Sequence, residues 1–327
     1  MTETPKSRVV LRSVRRRSLL HAVAECMERC GWEQIVPRDA SVVVKPNLCT
    51  AVADKAASSN TDPLLAEAVC EVLRSRTRRI VLAESDGLRQ KAQEAFSASG
   101  YVDLAHRLEV PLVNLSETPW VPVSCEPAGN VELPRLLLEA DALITLPVLK
   151  THALTYFTGA IKNQWGCLPQ HNRILLHKHL DPLLATLHRV LRPKLAIMDG
   201  IIGMEGRGPA NGKPRRMDVV LASRDGVALD ATAMRLIGLE PARAQHLVLT
   251  ARQGLGRIDA DSIEVDGDFE GLKTTFEPAI LDRAVAAMNY LSRYRWFVKH
   301  MLERDSVFYP IRTVVQALRR VGVVEGG

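Results

Sequence analysis

The chain has 327 residues, of which 46% are apolar and 24% charged; this composition fits one large or two ordinary globular domains and excludes the disordered and fibrous classes. A count of 43 basic against 37 acidic residues gives a net charge of +6, which suits an anionic ligand. No run of about 18 apolar residues occurs, so no membrane-spanning helix is expected.

In chain order, Lys6, Arg8, Arg12, Arg15, Arg16 and Arg17 crowd the start and read most simply as a solvated basic helix. Arg16-Arg17-Ser18-Leu19-Leu20 resembles a twin-arginine export signal. His21, Glu25 and Arg29 interrupt the apolar region such a signal needs, and a cytoplasmic location is expected. Cys26 and Cys30 stand four apart, at core spacing on a helix. With Cys49, Cys70, Cys125 and Cys167 they form no C-x2-C pair, so reduced thiols and no iron–sulfur cluster are expected.

The apolar runs 41–47, 79–84, 110–115 and 142–147 read as buried strands. Between them, Pro63 after Asp62 opens a helix, and 88–107 is helical as well. A second series follows: helices at 154–166 and 179–191, a strand at 194–200, a glycine-rich loop, and a strand at 218–223. Helices at 226–237 and 241–252 and a weak strand near 262–266 complete it. The alternation predicts an α/β fold with a mainly parallel sheet flanked by helices. Two lobes, 1–147 and 148–280, would meet near Pro147 and leave an interlobe cleft, and a helical extension, 281–327, would follow. Arg293, Arg295, Lys299, Arg304, Arg312, Arg319 and Arg320 make that extension basic. Without a recognisable nucleic-acid module, the charge points to a solvated face or a protein docking surface, not to nucleic acid.

Four stretches carry candidate chemistry. "VVVKPNLCT" places Lys45, Asn47 and Thr50 at a strand's carboxyl end, where parallel sheets bind ligands, and "SSNTDP" places Thr61 before a helix as a cap or an anion contact. In "LKTHALTYFTGAIKNQWGCLP", a helix starting near Thr155 would put Thr155, Gly159, Lys162, Asn163 and Gly166 on one stripe, with Lys150 and His152 at its mouth. Two glycines, each costing about 1 kcal/mol against alanine inside a helix, imply close approach, either of a ligand or of a packed neighbour. Five of the nine histidines (His152, His171, His177, His179 and His188) fall in the same region without a zinc signature. Finally, "MDGIIGMEGRGPANGKP" reads as a long loop after Asp199, with Asp199 and Glu205 as candidate ligands of a divalent metal or a hydroxyl. Gly206 and Gly208 lie in its mobile cover over the substrate.

Together these stretches, with "RILLH" and "ASRDGVALDA", resemble the DUF362 family, a prokaryotic set of largely undefined function, over about residues 40–240. Many members carry an appended ferredoxin segment, whose cysteines this chain lacks. The segment from His152 to Pro169 is also similar to that of nickel-pincer lactate racemases, in which a Lys bears the cofactor and a His serves acid–base chemistry. Ala160, Ile161 and the order of Gly166 and Pro169 depart from that pattern and argue against a nickel pincer here. The resemblance implies a two-lobed α/β fold with a Lys–His pair in its cleft.

The expected function is an enzyme acting on a small anionic, carboxylate-type substrate. Lys162, His152 and His177 would be catalytic, and Lys45, Asn47, Thr61, Lys150, Asn163, Gly206 and Gly208 would bind substrate. Isomerisation, redox chemistry and group transfer all fit. The rival reading is a metal- or cofactor-binding redox-accessory protein without turnover of its own.

Overall fold

The structure, a computed structural model, describes residues 5–281 and 283–320. Its frame is a ten-stranded mixed sheet. The strands are β1 (Ser7–Ser13), β2 (Val42–Pro46), β3 (Ile80–Glu84), β4 (Leu112–Asn114), β7 (Ala142–Leu146), β8 (Val148–His152), β9 (Tyr156–Phe157), β10 (Leu195–Glu205), β11 (Lys213–Ser223) and β12 (Ile263–Asp266). The main order is β12-β1-β11-β10-β7-β2-β3-β4, with β8 on β10 and β9 on β8, while β5 (Trp120–Ser124) and β6 (Asn130–Pro134) form a separate hairpin. From β10 through β4 every pairing is parallel, whereas β11 runs antiparallel to both β1 and β10.

Both faces of the sheet are buried, and the period-2 alternation of its strands sorts side chains into two cores. Val10, Val42, Val44, Ile144 and Ile197 join the helices Leu19–Arg29, Pro63–Leu73 and Tyr101–Leu108. Val9, Leu11, Val43, Leu143 and Met198 join the helices Leu180–Leu191, Gly226–Leu236 and Gln245–Arg252 on the other face. This burial on both faces explains why β2, β3 and β7 read as near-continuous apolar runs.

Three expectations need correction. The basic start is not a helix but β1, which pairs with β11 and β12. Its arginines interrupt the apolar pattern, but Arg12 is neutralised by Glu25 at 2.7 Å and Asp266 at 3.0 Å. Residues 88–107 are two helices, Ala92–Ala98 and Tyr101–Leu108, because Gly100 turns the chain at φ 76°. The glycine-rich stretch is mostly strand: β10 and β11 form a long hairpin, and only 206–212 is turn. A Cβ on Gly200 would stand 2.8 Å from the Val219 carbonyl, and one on Gly203 2.8 Å from that of Leu149, so these glycines serve close strand packing.

One sheet runs through both sides of Pro147, with β7 before it and β8 after it. Helical segments Arg283–Leu291, Arg295–Leu302 and Asp305–Arg320 follow the sheet. Residues 321–327 of the expected extension lie outside the described residues. Among the described residues, no helix is long and apolar enough to cross a membrane.

Candidate functional site

The carboxyl ends of β2, β3 and β7 share one edge, and charged side chains are buried there. Lys45 is 1% exposed; its Nζ pairs with Glu84 Oε2 at 2.9 Å and donates to the Pro46 carbonyl at 3.0 Å and to Asn163 Oδ1 at 3.4 Å. Glu84 also accepts the Ser85 and Leu48 amides, and Asn163 Nδ2 donates to Thr145 Oγ1 at 2.8 Å, so the ion pair is satisfied on every side. Gly166 makes room for it: a Cβ there would lie 2.6 Å from Glu84 Oε1 and 2.7 Å from Lys45 Nζ. Asn47 Nδ2 and Lys150 Nζ both donate to the Ser59 carbonyl, at 2.7 and 2.5 Å. The Thr61 hydroxyl donates to the Leu146 carbonyl and accepts the Asn47 amide, so it is occupied by the fold.

The segment 149–169 is not the single helix its spacing suggests. Thr155 lies before β9, the α-helix is only Gly159–Asn163, and Gln164–Cys167 continues as a 3-10 turn. The helix is capped from a distance by Asp230, fully buried, whose Oδ1 and Oδ2 accept the amides of Ala160 at 2.7 Å and Ile161 at 3.0 Å. Gly159, at φ 72°, lies so close that any Cβ would collide with this carboxylate. Burial pushes Asp230 up to about 8, against the two amides that favour its charge. Both glycines therefore accommodate buried carboxylates, which is the packing alternative.

Lys162 retains part of its accessible surface, yet protein atoms surround its ammonium; it sits in a recess. Burial first, then the positive charges of Arg173, Lys150 and Lys45, bring it down to about 7. Its Nζ lies 5.7 Å from the Trp165 ring centre, and Trp165 stands 5.1 Å from the His177 ring. His152 Nδ1 accepts the amides of Leu154 at 3.0 Å and Thr155 at 3.2 Å, which leaves its proton on Nε2. Burial and the charges of Lys162 and Lys150 hold His152 well below its ordinary range, and burial with Lys162 brings His177 to about 4. Both rings are therefore neutral at pH 7. Arg173 anchors one nitrogen, Nη1, to Ser85 Oγ and the carbonyls of Asp86 and Leu168, at 2.6 to 2.8 Å. Among the described residues, Lys150, Lys162 and Arg173 have no carboxylate within 4.0 Å.

Other expected ligands are not gathered into this recess. Asp199 lies at the β10 strand near Lys150, accepting the amides of Asp62 at 2.7 Å and Ile201 at 3.0 Å, and burial pushes it up to about 7. Glu205 is six residues further along the same strand, roughly 20 Å at about 3.3 Å per residue. It accepts the Glu277 amide at 3.1 Å. The fold thus separates the proposed metal pair, and among the described residues no group of three His, Cys, Asp or Glu side chains could hold a metal. Gly206 donates its amide to the Glu277 carbonyl at 2.8 Å, and Gly208 packs against the Thr151 backbone too tightly for any Cβ. The turn does reach the strand ends, since Cys49 Sγ lies 3.5 Å from the Pro209 carbonyl. Two open surface cavities lie elsewhere, one around Arg235 and Arg257 and one around Pro37 and Arg192. Neither contains a residue of the recess. The recess is the better candidate, because its enclosed cations Lys150 and Arg173 have hydrogen-bond partners but, among the described residues, no carboxylate within 4.0 Å, whereas the two cavities are open polar dents.

The profile of the family described as "Domain of unknown function (DUF362)" matches residues 42–235, more than half of the chain. The chain belongs to the DUF362 family. A curated relative, the thylakoid-associated protein sll1697 of Synechocystis sp., is 28% identical over 253 residues, covering 75% of this chain and 78% of its own. The solved lactate racemase apoprotein from Thermoanaerobacterium thermosaccharolyticum is distantly similar, at 14% identity and a TM-score of 0.44, over 74% of this chain; the chain spans 56% of the racemase.

The DUF362 segment contains Lys45, Lys150, Lys162, Arg173 and Asp230 and stops short of the C-terminal helices. Three of its residues carry roles that spacing did not assign. Arg173 opens the "RILLH" stretch, and Glu84 and Asp230 act through long-range contacts with Lys45 and with the Ala160 and Ile161 amides. Cys49 also belongs here, with Sγ 3.2 Å from Lys150 Nζ. It is half-buried, whereas the other five cysteines are buried, with the thiols of Cys26, Cys30, Cys70 and Cys167 pushed up to about 12. Brief treatment of the native protein with iodoacetamide at pH 8 should therefore label Cys49 first, as read by peptide mass spectrometry. Equal labelling of Cys26 or Cys70 would contradict this placement.

Proposed function

We propose that the recess binds a small anionic substrate of the carboxylate class and transfers a proton on it. The observation that carries this reading is the enclosure of Lys162, Lys150 and Arg173 together with, among the described residues, no carboxylate within 4.0 Å of any of them; Glu84 and Asp86 act on Arg173, and Asp199 on Lys150, from further away. A group of cations without a direct ion pair in a low-dielectric setting is costly unless an anion completes it. In this reading Arg173, through the nitrogens not held by Ser85, and Lys150 fix the carboxylate. Lys162, near pH 7 an equal mixture of amine and ammonium, takes and returns the proton. His152 offers its Nε2–H to the developing charge, and neutral His177 is the second base. Lys45, Asn47, Thr61 and Asn163 position these groups. Segments 1–147 and 148–280 supply opposite walls, and the extension after 281 lies over the mouth, with Asn289 beside His177.

The test is anion binding as a function of pH, followed by thermal shift with malonate, malate and acetate against chloride at equal ionic strength. Lys162 is charged below about 7 and neutral above it. Carboxylate affinity should therefore be greatest at pH 6 and fall by up to about tenfold per pH unit above 7. The reading fails if chloride stabilises as well as malonate, or if affinity stays flat from pH 6 to 9.

A further inference from the structure

Apart from the recess, the molecule has a second unexplained feature, on its C-terminal helices. Thirteen large apolar side chains are exposed among the described residues, and eight of them fall between residues 280 and 314. Trp296 is the most exposed at 67%, with Tyr290 and Tyr294 each above 50%. Exposed Arg293, Arg295, Lys299 and Arg304 alternate with them. Isolated apolar side chains at a surface are ordinary; a cluster interleaved with one sign of charge is a contact face.

The segment is held to the body by its other side. Val298 and Leu302 are buried, Arg89 donates to the Leu302 carbonyl at 2.6 Å, and the Arg89 guanidinium covers the Phe308 ring at 4.1 Å. The described acidic groups of the segment have partners there as well: Asp305 pairs with Arg89, and Glu303 lies 3.5 Å from His171. The exposed aromatic and basic side chains Tyr290, Arg293, Tyr294, Arg295, Trp296 and Lys299 follow one another with no acidic residue between them. Tyr and Trp favour the headgroup level of a bilayer, where a ring has apolar and polar neighbours at once, and Arg and Lys favour anionic headgroups. An acidic protein would match the charge but would leave three exposed aromatic rings, Tyr290 and Tyr294 with centres 6.0 Å apart and Trp296 beyond them, without a pocket. Among the described residues no helix is long and apolar enough to cross a bilayer, so these helices would lie on it.

We propose that residues 280–314 form a peripheral docking face for the surface of an anionic lipid bilayer. This is independent of the reading of the recess. The full chain should cosediment with vesicles of phosphatidylglycerol and phosphatidylcholine at low salt, lose binding in 0.5 M NaCl, and bind pure phosphatidylcholine weakly. Reversing Arg293, Arg295 and Lys299 to Glu should weaken binding by about a hundredfold or more, at roughly fivefold for each basic residue removed. Tyr290→Ser, Tyr294→Ser and Trp296→Ser together should also reduce it strongly, and both triple variants should keep the wild-type melting temperature because the side chains are exposed. Three results would overturn the proposal: no binding to the anionic vesicles at low salt, binding that neither triple variant changes, or polyglutamate competing as effectively as the vesicles. A dimer that dissociates in the aromatic variant while vesicle binding persists would assign the face to a second copy instead, and would also overturn it.

Discussion

Lys162→Met will weaken carboxylate binding by about tenfold or more and, at pH 6, raise the melting temperature. The two effects share one cause. The folded protein holds the Lys162 ammonium among Arg173, Lys150 and Lys45 and lowers it from 10.5 to about 7. Below pH 7 both folded and unfolded states carry the proton, and the folded state bears the full penalty of the enclosed charge. Between about 7 and 10.5 the unfolded chain binds more protons than the folded one, so wild-type stability rises with pH. Above that range both states are neutral and the penalty is gone. A shift of this size corresponds to about 5 kcal/mol at most. The recess is partly open and methionine packs differently from lysine, so a gain on the order of 1–2 kcal/mol, or a few degrees, is the reasonable expectation. The gain should shrink as pH rises from 7 to 10.5. Calorimetry across that range, with malonate titrations at pH 6.5, checks both halves. A melting temperature that falls at pH 6, or malonate affinity within threefold of wild type, would remove Lys162 from the site.

The opposite outcome is expected for Asp230→Ala, which should destabilise the protein by about 2–4 kcal/mol at pH 6. The substitution leaves the Ala160 and Ile161 amides without acceptors in a fully buried position and opens a cavity beneath Gly159. Because this helix carries Lys162 and Asn163, anion binding should weaken together with stability. Asp230→Asn should be milder, since one oxygen can still accept an amide. Its pH dependence also has a definite sign. Asp230 is raised from 3.8 to about 8 in the folded state, so the stability linked to it is fully present below about 4 and declines as pH rises to about 8. The deficit of Asp230→Asn relative to wild type should therefore narrow over that interval. Denaturant melts at pH 5 and pH 8 test this; an Asn variant whose deficit widens at pH 8 would show that the carboxylate form is the one the cap requires.

Sequence reading found what is local. The runs of β2, β3 and β7 were recognisable because strands buried on both faces have no polar alternation, and the helix at Pro63 because Asp62 and Pro63 are its cap and first residue. Family motifs also pointed to Lys45, Lys150, His152 and Lys162, all of which lie around the strand ends. The strand character of β1 was hidden because Arg8 and Arg12 break its apolar pattern, and their partners Glu264, Glu25 and Asp266 are visible only in the fold. The length of β10 was hidden because glycines mark a loop as readily as close strand packing. The chemistry of the recess depended even more on tertiary contacts. Lys45 meets Glu84 across 39 residues, Ala160 meets Asp230 across 70, and Arg173 meets Ser85 across 88. Periodicity and capping act over a few residues, so sequence by itself determined the buried parallel strands, the well-capped helices and which residue types could do chemistry. Only the tertiary structure decided which charges are neutralised and which are left for a ligand, because neutralisation depends on distance in space and on exclusion of water.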